Sequence, residues 1–485
     1  MTAVITPSTP MFRHFANLRH IHFVGIGGAG MSGIAEVLLD YDLEVTGSDQ
    51  AASEATRHLE ALGVKVWIGH SPEHVAGADL VVRSSAIHDD NPEIGAARAR
   101  GITVIRRAEM LAELMRLKYG IAVAGTHGKT TTTSLVGTIL TEANLDPTVI
   151  VGGRLRVSGT GARLGKSMYM VVEADEFDRS FLRLQPVLAV ITTIDVDHLD
   201  TYKDLADIEA AFAQFADTVP FFGQVITCLD DKNVQTLLPK LAGRRVLTYG
   251  FSPQADLVAV DVRSEGGGSR FTVRHAQRGT GTSIGTPSAT DGVLGEVAVP
   301  LPGRHNVQNA LAAIGVALAV GLDFAAIAKG IAAFKGVHRR FERLGTFQGA
   351  AVVDDYAHHP AEVAATLQAA REAFPGARLH AVFQPHLYSR TRDLATDFGR
   401  SLLGADAAWV TDVYAAREEP IPGVSGALVV DAARSSGHRN VRYVDHWREL
   451  PPHLRETVAA SEVVLTMGAG DVFKLGQQLV AEGAA

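Results

Sequence analysis

The chain has 485 residues, 46% of them apolar and 20% charged: ordinary for a globular protein, and too long for a single core, so that about three domains are expected. A formal net charge of −8 leaves no basic footprint for nucleic acid or an anionic membrane, and no apolar run reaches membrane-spanning length. The one cysteine, Cys228, excludes internal disulfides, and Met1 to Arg19 has no signal-peptide core and reads as a loose tail; the expected address is the cytoplasm.

The first stretch, to about Lys118, alternates strand-like runs (Ile21–Val24, Leu43–Thr46, Val64–Ile68, Leu80–Arg83, Thr103–Ile105) with helix-like ones (Ser32–Asp40, Glu54–Leu62, Pro92–Arg100). Such alternation predicts βαβ units around a parallel sheet. The first strand runs into Gly25-Ile-Gly-Gly-Ala-Gly30 and then a helix, which is the dinucleotide fingerprint, with Asp49 placed to meet ribose hydroxyls. The fingerprint leaves the ligand open, because a nucleoside-diphosphate sugar presents the same pyrophosphate and ribose as NAD. His70, Ser84-Ser85 and Arg106-Arg107 follow strand ends at the same predicted edge, where open α/β sheets place ligands.

A second cycle begins with a strand over Tyr119–Ala124 that feeds Gly125-Thr-His-Gly-Lys-Thr-Thr-Thr132 and a helix. The turn aims backbone N–H groups at an anion; Lys129 can reach outer phosphates and Thr130 can offer a hydroxyl to Mg²⁺. The standard pattern wants glycine where Val123 stands. Strands follow at Met168–Val172, Val187–Thr192 and Gly223–Cys228, the last burying Cys228. The first of these ends in Glu173-Ala-Asp-Glu176-Phe-Asp178, where an NTPase holds its metal. Glu173 is the expected metal carboxylate; Asp175, Glu176 and Asp178 are expected to cap a helix or face solvent. His198, in Asp195-Val-Asp197-His198-Leu-Asp200, is read as a metal ligand or a group beside one. From Ser264 to Gly295 the Gly/Ser/Thr-rich chain reads as a peripheral hairpin with a loose loop. Asn306 and Asn309, three apart on a helix, face one side and can read a purine edge.

A third cycle starts after Gly336, with strands at Ala350–Asp354, Leu379–Phe383, Ala407–Val413 and Val463–Met467, and helices at Ala361–Ala373 and Thr391–Leu403. Arg339-Arg340 at its start offers a cation that could swing over a transferring phosphoryl group, or a solvated basic pair. The expected fold is thus α/β in three domains, each on a largely parallel sheet: Rossmann-like over 1–118, P-loop ATPase-like over 119–336 and Rossmann-like over 337–485.

Taken together and in this order, the two glycine loops, Glu173, His198, His305-Asn-x-x-Asn309, Arg339-Arg340-Phe-Glu and Asp354-Asp-Tyr-Ala-His-His-Pro360 resemble the Mur ligases over essentially the whole chain, and within them the alanine-adding branch. The resemblance implies an ATP- and Mg²⁺-dependent ligase joining L-alanine to the carboxylate of UDP-N-acetylmuramate through an acyl phosphate. It implies a UDP-sugar site at Gly27, Gly28, Gly30, Asp49, His70, Ser84 and Arg107, and an ATP loop at Gly125, Thr126, His127, Gly128, Lys129, Thr130 and Thr131. Asn306 and Asn309 would meet adenine, Asp355 the ribose and Arg340 the phosphates. Thr130 and Glu173 would hold one Mg²⁺, with His198 near a second or helping to deprotonate the amine. Tyr356, His358, His386 and Arg390 would lie on the amino-acid side, carried by a C-terminal domain that closes the site. Leu387 stands where many members have Arg, which shifts weight to Arg390. Ile208–Phe215 lacks the lysine that several siblings carbamylate, so no such bridge is expected. Three rivals remain: a sibling attaching a preformed peptide to the same sugar, an NAD-dependent dehydrogenase, and a nucleotide-binding regulator without chemistry.

Overall fold

A computed structural model describes residues 18–41, 43–84, 86–152, 161–198, 201–276, 292–416 and 418–483. Most of the leader, Ser85, Asp200 and most of the expected loose loop fall outside them.

The first sheet has five strands, β1 (His20–Val24), β2 (Glu44–Asp49), β3 (Lys65–Ile68), β4 (Leu80–Arg83) and β5 (Thr103–Arg106), in the order β3-β2-β1-β4-β5, every pair parallel. Helices α1 (Ala29–Leu39), α2 (Glu54–Ala61) and α3 (Pro92–Ala99) make crossovers, and α4 (Arg107–Arg116) leads on from β5. Their starts are written locally: Ser53 closes a capping box with Thr56, and Asn91 caps α3 ahead of Pro92.

The central sheet uses β6 (Tyr119–Ala124), then α5 (Lys129–Glu142), β7 (Thr148–Ile150), β8 (Ala162–Arg163), β9 (Tyr169–Glu173), β10 (Leu188–Ile191), α6 (Leu205–Asp217), β11 (Gln224–Cys228), α7 (Lys232–Leu237), β12 (Val246–Gly250), β13 (Leu257–Glu265), β14 (Gly268–His275) and β15 (Gly292–Val299), followed by α8 (Arg304–Val320) and α9 (Phe324–Ala332). The strand order is β15-β14-β13-β12-β11-β10-β6-β9-β7-β8. Strand β6 lies between β10 and β9, parallel to both, so the loops after all three emerge at one edge. The turn from β13 to β14 uses Gly266 and Gly267, both at positive φ (63° and 78°), as a two-residue hairpin with primed-turn geometry requires. In the described part of the Gly/Ser-rich stretch the expected hairpin is present, and alternation inside β14 buries Phe271 and Val273. Cys228 is buried in β11, and burial pushes its thiol up to about 12.

The third sheet comprises β16 (Glu342–Phe347), β17 (Ala350–Asp355), β18 (Leu379–Phe383), β19 (Ala407–Val410), β20 (Val441–Tyr443) and β21 (Val463–Met467) in the order β16-β17-β21-β18-β19-β20. It is parallel except for β16, which pairs antiparallel with β17. Helices α10 (Pro360–Ala373), α11 (Tyr388–Ser401), α12 (Gly426–Ser435), α13 (Leu450–Thr457) and α14 (Phe473–Gly483) flank it.

Contacts group the first sheet and most of the central one into one compact unit with a continuous apolar core, from Ile21 and Phe23 through Val172 and Phe212. The second unit runs from Gly336 onward and includes Asp261–Thr272 and Glu296–Val307. Among the described residues no helix is long and apolar enough to cross a membrane.

Candidate active site

In the first sheet, Gly25 (φ 80°) turns the chain off β1, and its N–H and that of Ile26 donate to Ser48 O at 2.8 and 3.0 Å. Helix α1 starts at Gly28 with no side-chain cap, leaving its first N–H groups open to an anion. Asp49 Oδ2 accepts from Gly27 N at 2.8 Å, so this carboxylate braces the glycine turn with one oxygen. A Cβ on Gly27 would come within 2.9 Å of that oxygen, one on Gly30 within 2.7 Å of the Arg107 guanidinium, and one on Gly25 within 3.0 Å of Ser84 Cβ. Gly28 would meet only ordinary contacts. Gly27, Gly30, Asp49, Ser84 and Arg107 are thus gathered around one turn.

His70 is tied in behind it. Its Nδ1 lies 3.0 Å from Ser48 Oγ and 3.1 Å from Glu93 Oε2. Glu93, which nothing in the sequence singles out, is fully buried; it also accepts from Ser48 Oγ at 2.5 Å and meets His74 Nδ1 at 2.6 Å. Burial alone would raise its carboxyl, but hydrogen bonds from Ser48 and His74 and the nearby His22 imidazole outweigh that and hold it at about 2. Burial lowers the His22 imidazole below its usual range against the pull of Glu93.

The second glycine loop leaves β6 at Gly125 (φ 130°), where a Cβ would fall 2.0 Å from Thr192 Oγ1. Thr126 N donates to Thr193 O (2.9 Å), His127 N to Thr193 Oγ1 (3.0 Å), and Thr126 Oγ1 accepts from Asp195 N (2.9 Å), so the strand-end residues after β10 fix the loop. His127 Nε2 is 3.4 Å from Asp195 Oδ2. Gly128 (φ 83°) precedes α5 without a side-chain cap, and a Cβ there would strike Asn309 Oδ1 at 2.4 Å. Asn309 Oδ1 also accepts from Thr132 Oγ1 at 3.2 Å, while Asn306 Nδ2 donates to Pro302 O at 2.7 Å. Thr131 is buried beneath the loop.

Thr130 Oγ1 donates to Glu173 Oε1 at 2.9 Å, and Glu173 Oε2 accepts from Gly152 N at 2.7 Å. A hydroxyl and a carboxylate side by side at a phosphate loop are hard oxygen donors, and this set fits Mg²⁺. His198, at φ 55°, meets Phe177 edge-on (5.2 Å between centroids), with Nε2 3.7 Å from Asp197.

One expectation fails here. Glu176 neither faces solvent nor caps a helix: it is 2% exposed, and both its oxygens receive Lys129 Nζ, at 2.9 and 2.8 Å. The reason lies in the turn after β9. Tyr202 Oη (2.7 Å) and Arg179 N (3.0 Å) both donate to Glu176 O, turning its side chain back beneath the loop. Burial works against the Lys129 charge, but the Glu176 and Asp175 carboxylates outweigh it and hold the ammonium above its usual range. Burial pushes the Glu176 carboxyl up to about 7 against the pull of Lys129. Asp175 is exposed and Asp178 accepts from Ser180 N at 3.0 Å, as expected of that cluster.

The second unit sorts the two arginines. Arg339 is fully engaged: Nε to Asp354 at 3.1 Å, Nη1 to Gly470 O at 3.1 Å, a further bond to Gly468 O, and the rings of Tyr356 and Phe473 at 4.9 and 4.5 Å. Arg340 is looser, 5.2 Å from the Tyr356 ring and 4.0 Å from Glu362. Asp355 is buried and accepts from Phe341 N (2.7 Å) and Ala357 N (2.8 Å), leaving each oxygen one lone pair; burial pushes its carboxyl up to about 6. Tyr356, His358 and His386 stand ring to ring at 5.2 and 5.8 Å, and Arg390 Nη1 lies 3.4 Å from His386 Nδ1. Tyr414, missed in the sequence because it lies just past its strand, stacks on His386 at 6.0 Å. Leu387 (φ 71°) is 8% exposed, turned into the fold, so this position presents no side chain where an arginine is usual.

Three family models match in chain order: the Mur ligase family catalytic domain over residues 20–119, the Mur ligase middle domain over 123–317, and the Mur ligase glutamate ligase domain over 339–470. A UDP-N-acetylmuramate–L-alanine ligase of Geobacter sp. (strain M21) is 49% identical over 467 residues, covering 96% of this chain and 98% of its own. The crystal structure of the UDP-N-acetylmuramate–alanine ligase MurC of Thermotoga maritima superposes with a TM-score of 0.76 at 29% identity, covering 96% of this chain and 99% of its own. A murein peptide ligase from Psychrobacter arcticus 273-4 superposes with a TM-score of 0.68 at 25% identity, covering 96% and 98%.

Proposed function

Since the chain belongs to the Mur ligase family, we propose that it is an ATP-dependent ligase joining L-alanine to the carboxylate of UDP-N-acetylmuramate in peptidoglycan precursor synthesis. The observation that carries this reading is the phosphate loop itself: an uncapped helix start at Gly128, with Lys129 and the Thr130–Glu173 pair at the tips of adjacent parallel strands. The choice of alanine rests on relatives of that name that share nearly half of the residues over almost the full length.

An ionised carboxylate does not accept an amine, so the carboxylate must first be activated. Its oxygen attacks the γ-phosphorus of ATP, ADP leaves, and an acyl phosphate forms. The deprotonated amine of alanine then attacks the carbonyl carbon and inorganic phosphate leaves. The N–H groups of Gly128, Lys129, Thr130 and Thr131, with Gly125, Thr126 and His127 shaping the turn, bind the triphosphate, and Lys129 offsets the charge of two anionic reactants. Thr130 and Glu173 would hold Mg²⁺, with His198 beside a second ion or accepting the ammonium proton. An ion held there would supply positive charge against the transferred phosphoryl group. Asn306 and Asn309 read adenine, Asp355 uses its spare lone pairs on the ribose, and Arg340, the freer arginine, serves the phosphates. Gly27, Gly28, Gly30, Asp49, His70, Ser84 and Arg107 receive the UDP-sugar; Tyr356, His358, His386 and Arg390 face the amino acid. The domains run 1–118, 119–336 and 337–485, and the enzyme works in the cytoplasm.

The test is ADP release by the purified chain with ATP and Mg²⁺. Strict dependence on both UDP-N-acetylmuramate and L-alanine is expected. Turnover with a preformed peptide in place of alanine would point to the sibling ligase, a change in NADH absorbance to a dehydrogenase, and nucleotide binding without turnover to a regulator.

A further inference from the structure

The proposed mechanism gives Lys129 to the phosphates, yet in this structure its ammonium is committed elsewhere. Its three protons face Gly125 O (2.8 Å), Thr126 O (3.3 Å) and the Glu176 carboxylate, whose two oxygens lie at 2.9 and 2.8 Å. An ammonium has three donors and no more, so a phosphate oxygen that takes one must displace an acceptor already there. The loop carbonyls belong to the turn that cradles the phosphate. Glu176 does not.

Its backbone is pinned from both sides. On the β9 side Ala174 N donates to Val123 O at 2.9 Å, and on the other Tyr202 Oη and Arg179 N donate to Glu176 O. Tyr202 is itself 2% exposed, and the Arg179 guanidinium lies 4.6 Å from its ring centroid and pairs with Asp207. The carboxylate therefore sits beneath the loop on a backbone anchored independently of the turn that carries Lys129.

Resting on the ligase reading above, we propose that Glu176 is a positioning residue that competes with nucleotide phosphates for Lys129. It parks the lysine against the loop, weakens nucleotide binding, and recaptures the lysine as ADP leaves. The opposite role, a brace that holds Lys129 in its phosphate-binding pose, makes the opposite prediction.

The test measures ADP affinity by titration calorimetry for the full chain and for Glu176→Gln, with circular dichroism as the check on folding. The amide keeps the shape but replaces a charge-assisted acceptor with a neutral one. That difference corresponds to an ADP dissociation constant about fivefold lower in the variant. The Michaelis constant for ATP falls in parallel and that for UDP-N-acetylmuramate does not change. Glu176→Asp, which keeps the charge but withdraws it by one methylene, shifts ADP affinity the same way by less and carries the test if the glutamine variant does not fold. Unchanged or weaker ADP binding in the folded variants overturns the inference while leaving the ligase reading intact. A wild-type chain that binds no adenine nucleotide overturns both.

Discussion

Two glutamates, Glu93 in the first sheet's helix α3 and Glu176 after β9 of the central sheet, are buried to 0% and 2% exposure, yet their carboxyls move in opposite directions, to about 2 and about 7. Burial penalises both charges; what differs is the supply of donors. Glu93 is met by Ser48 and His74, neither of which the proposed chemistry needs elsewhere, as well as by His70. Glu176 has Lys129, a partner the substrate also wants. A buried carboxylate with several dedicated donors anchors structure, whereas one with a single contested donor belongs to function.

The comparison can be broken most severely at Lys129. Replacing it with alanine should lower turnover by at least about 10²–10³, the scale for losing a preorganised charge stabiliser. Steady-state ADP release checks this, and near-normal turnover would refute the role. Glu93→Gln should act on stability instead. It loses the acceptor for several buried donors, costing about 3 kcal/mol in urea unfolding with little change in kcat for the folded fraction. Between these extremes, Gly128→Ala combines a positive φ with a collision at Asn309 Oδ1; a destabilisation of about 2 kcal/mol and a raised Michaelis constant for ATP are expected.

The smallest effect, and the sharpest contrast, is in pH. The folded carboxyl of Glu93 lies below its ordinary 4.5, so its stabilisation is complete above pH 4.5 and is lost as pH falls through about 2. That of Glu176 lies above 4.5, so the fold holds the proton more tightly than the unfolded chain. Its contribution is present below 4.5 and declines as pH rises through about 7. Thermal midpoints against pH should therefore lose their acid limb in Glu93→Gln and their decline between about 4.5 and 7 in Glu176→Gln. The two curves changing alike would dissolve the distinction.

Which features were legible in the sequence follows the same division. The βα alternation announced the five strands of the first sheet, β6, β9, β10 and β11 of the central one and β17, β18, β19 and β21 of the third, and the glycine loops were readable because a backbone at φ 130° or 83° in close contact with a neighbour requires that residue type. Edge strand β16, antiparallel and following a turn of two arginines, left no apolar run to find. Long-range partners left no trace either: Ser48 and His70 lie 45 and 23 positions from Glu93, and Lys129 lies 47 from Glu176. Arg339 and Arg340 are chemically identical neighbours, and only the folded rings and carbonyls around Arg339 tell them apart. The inward turn of Leu387 depends likewise on a backbone at φ 71° that its residue type does not predict.

The central claim is that the muramate carboxylate is phosphorylated before the amine attacks, and isotope transfer tests it most directly. UDP-N-acetylmuramate carrying ¹⁸O in its carboxylate is turned over with unlabelled ATP and L-alanine, and the released inorganic phosphate is weighed by mass spectrometry. One ¹⁸O in each phosphate formed is the predicted result; product accumulating with unlabelled phosphate would contradict the account.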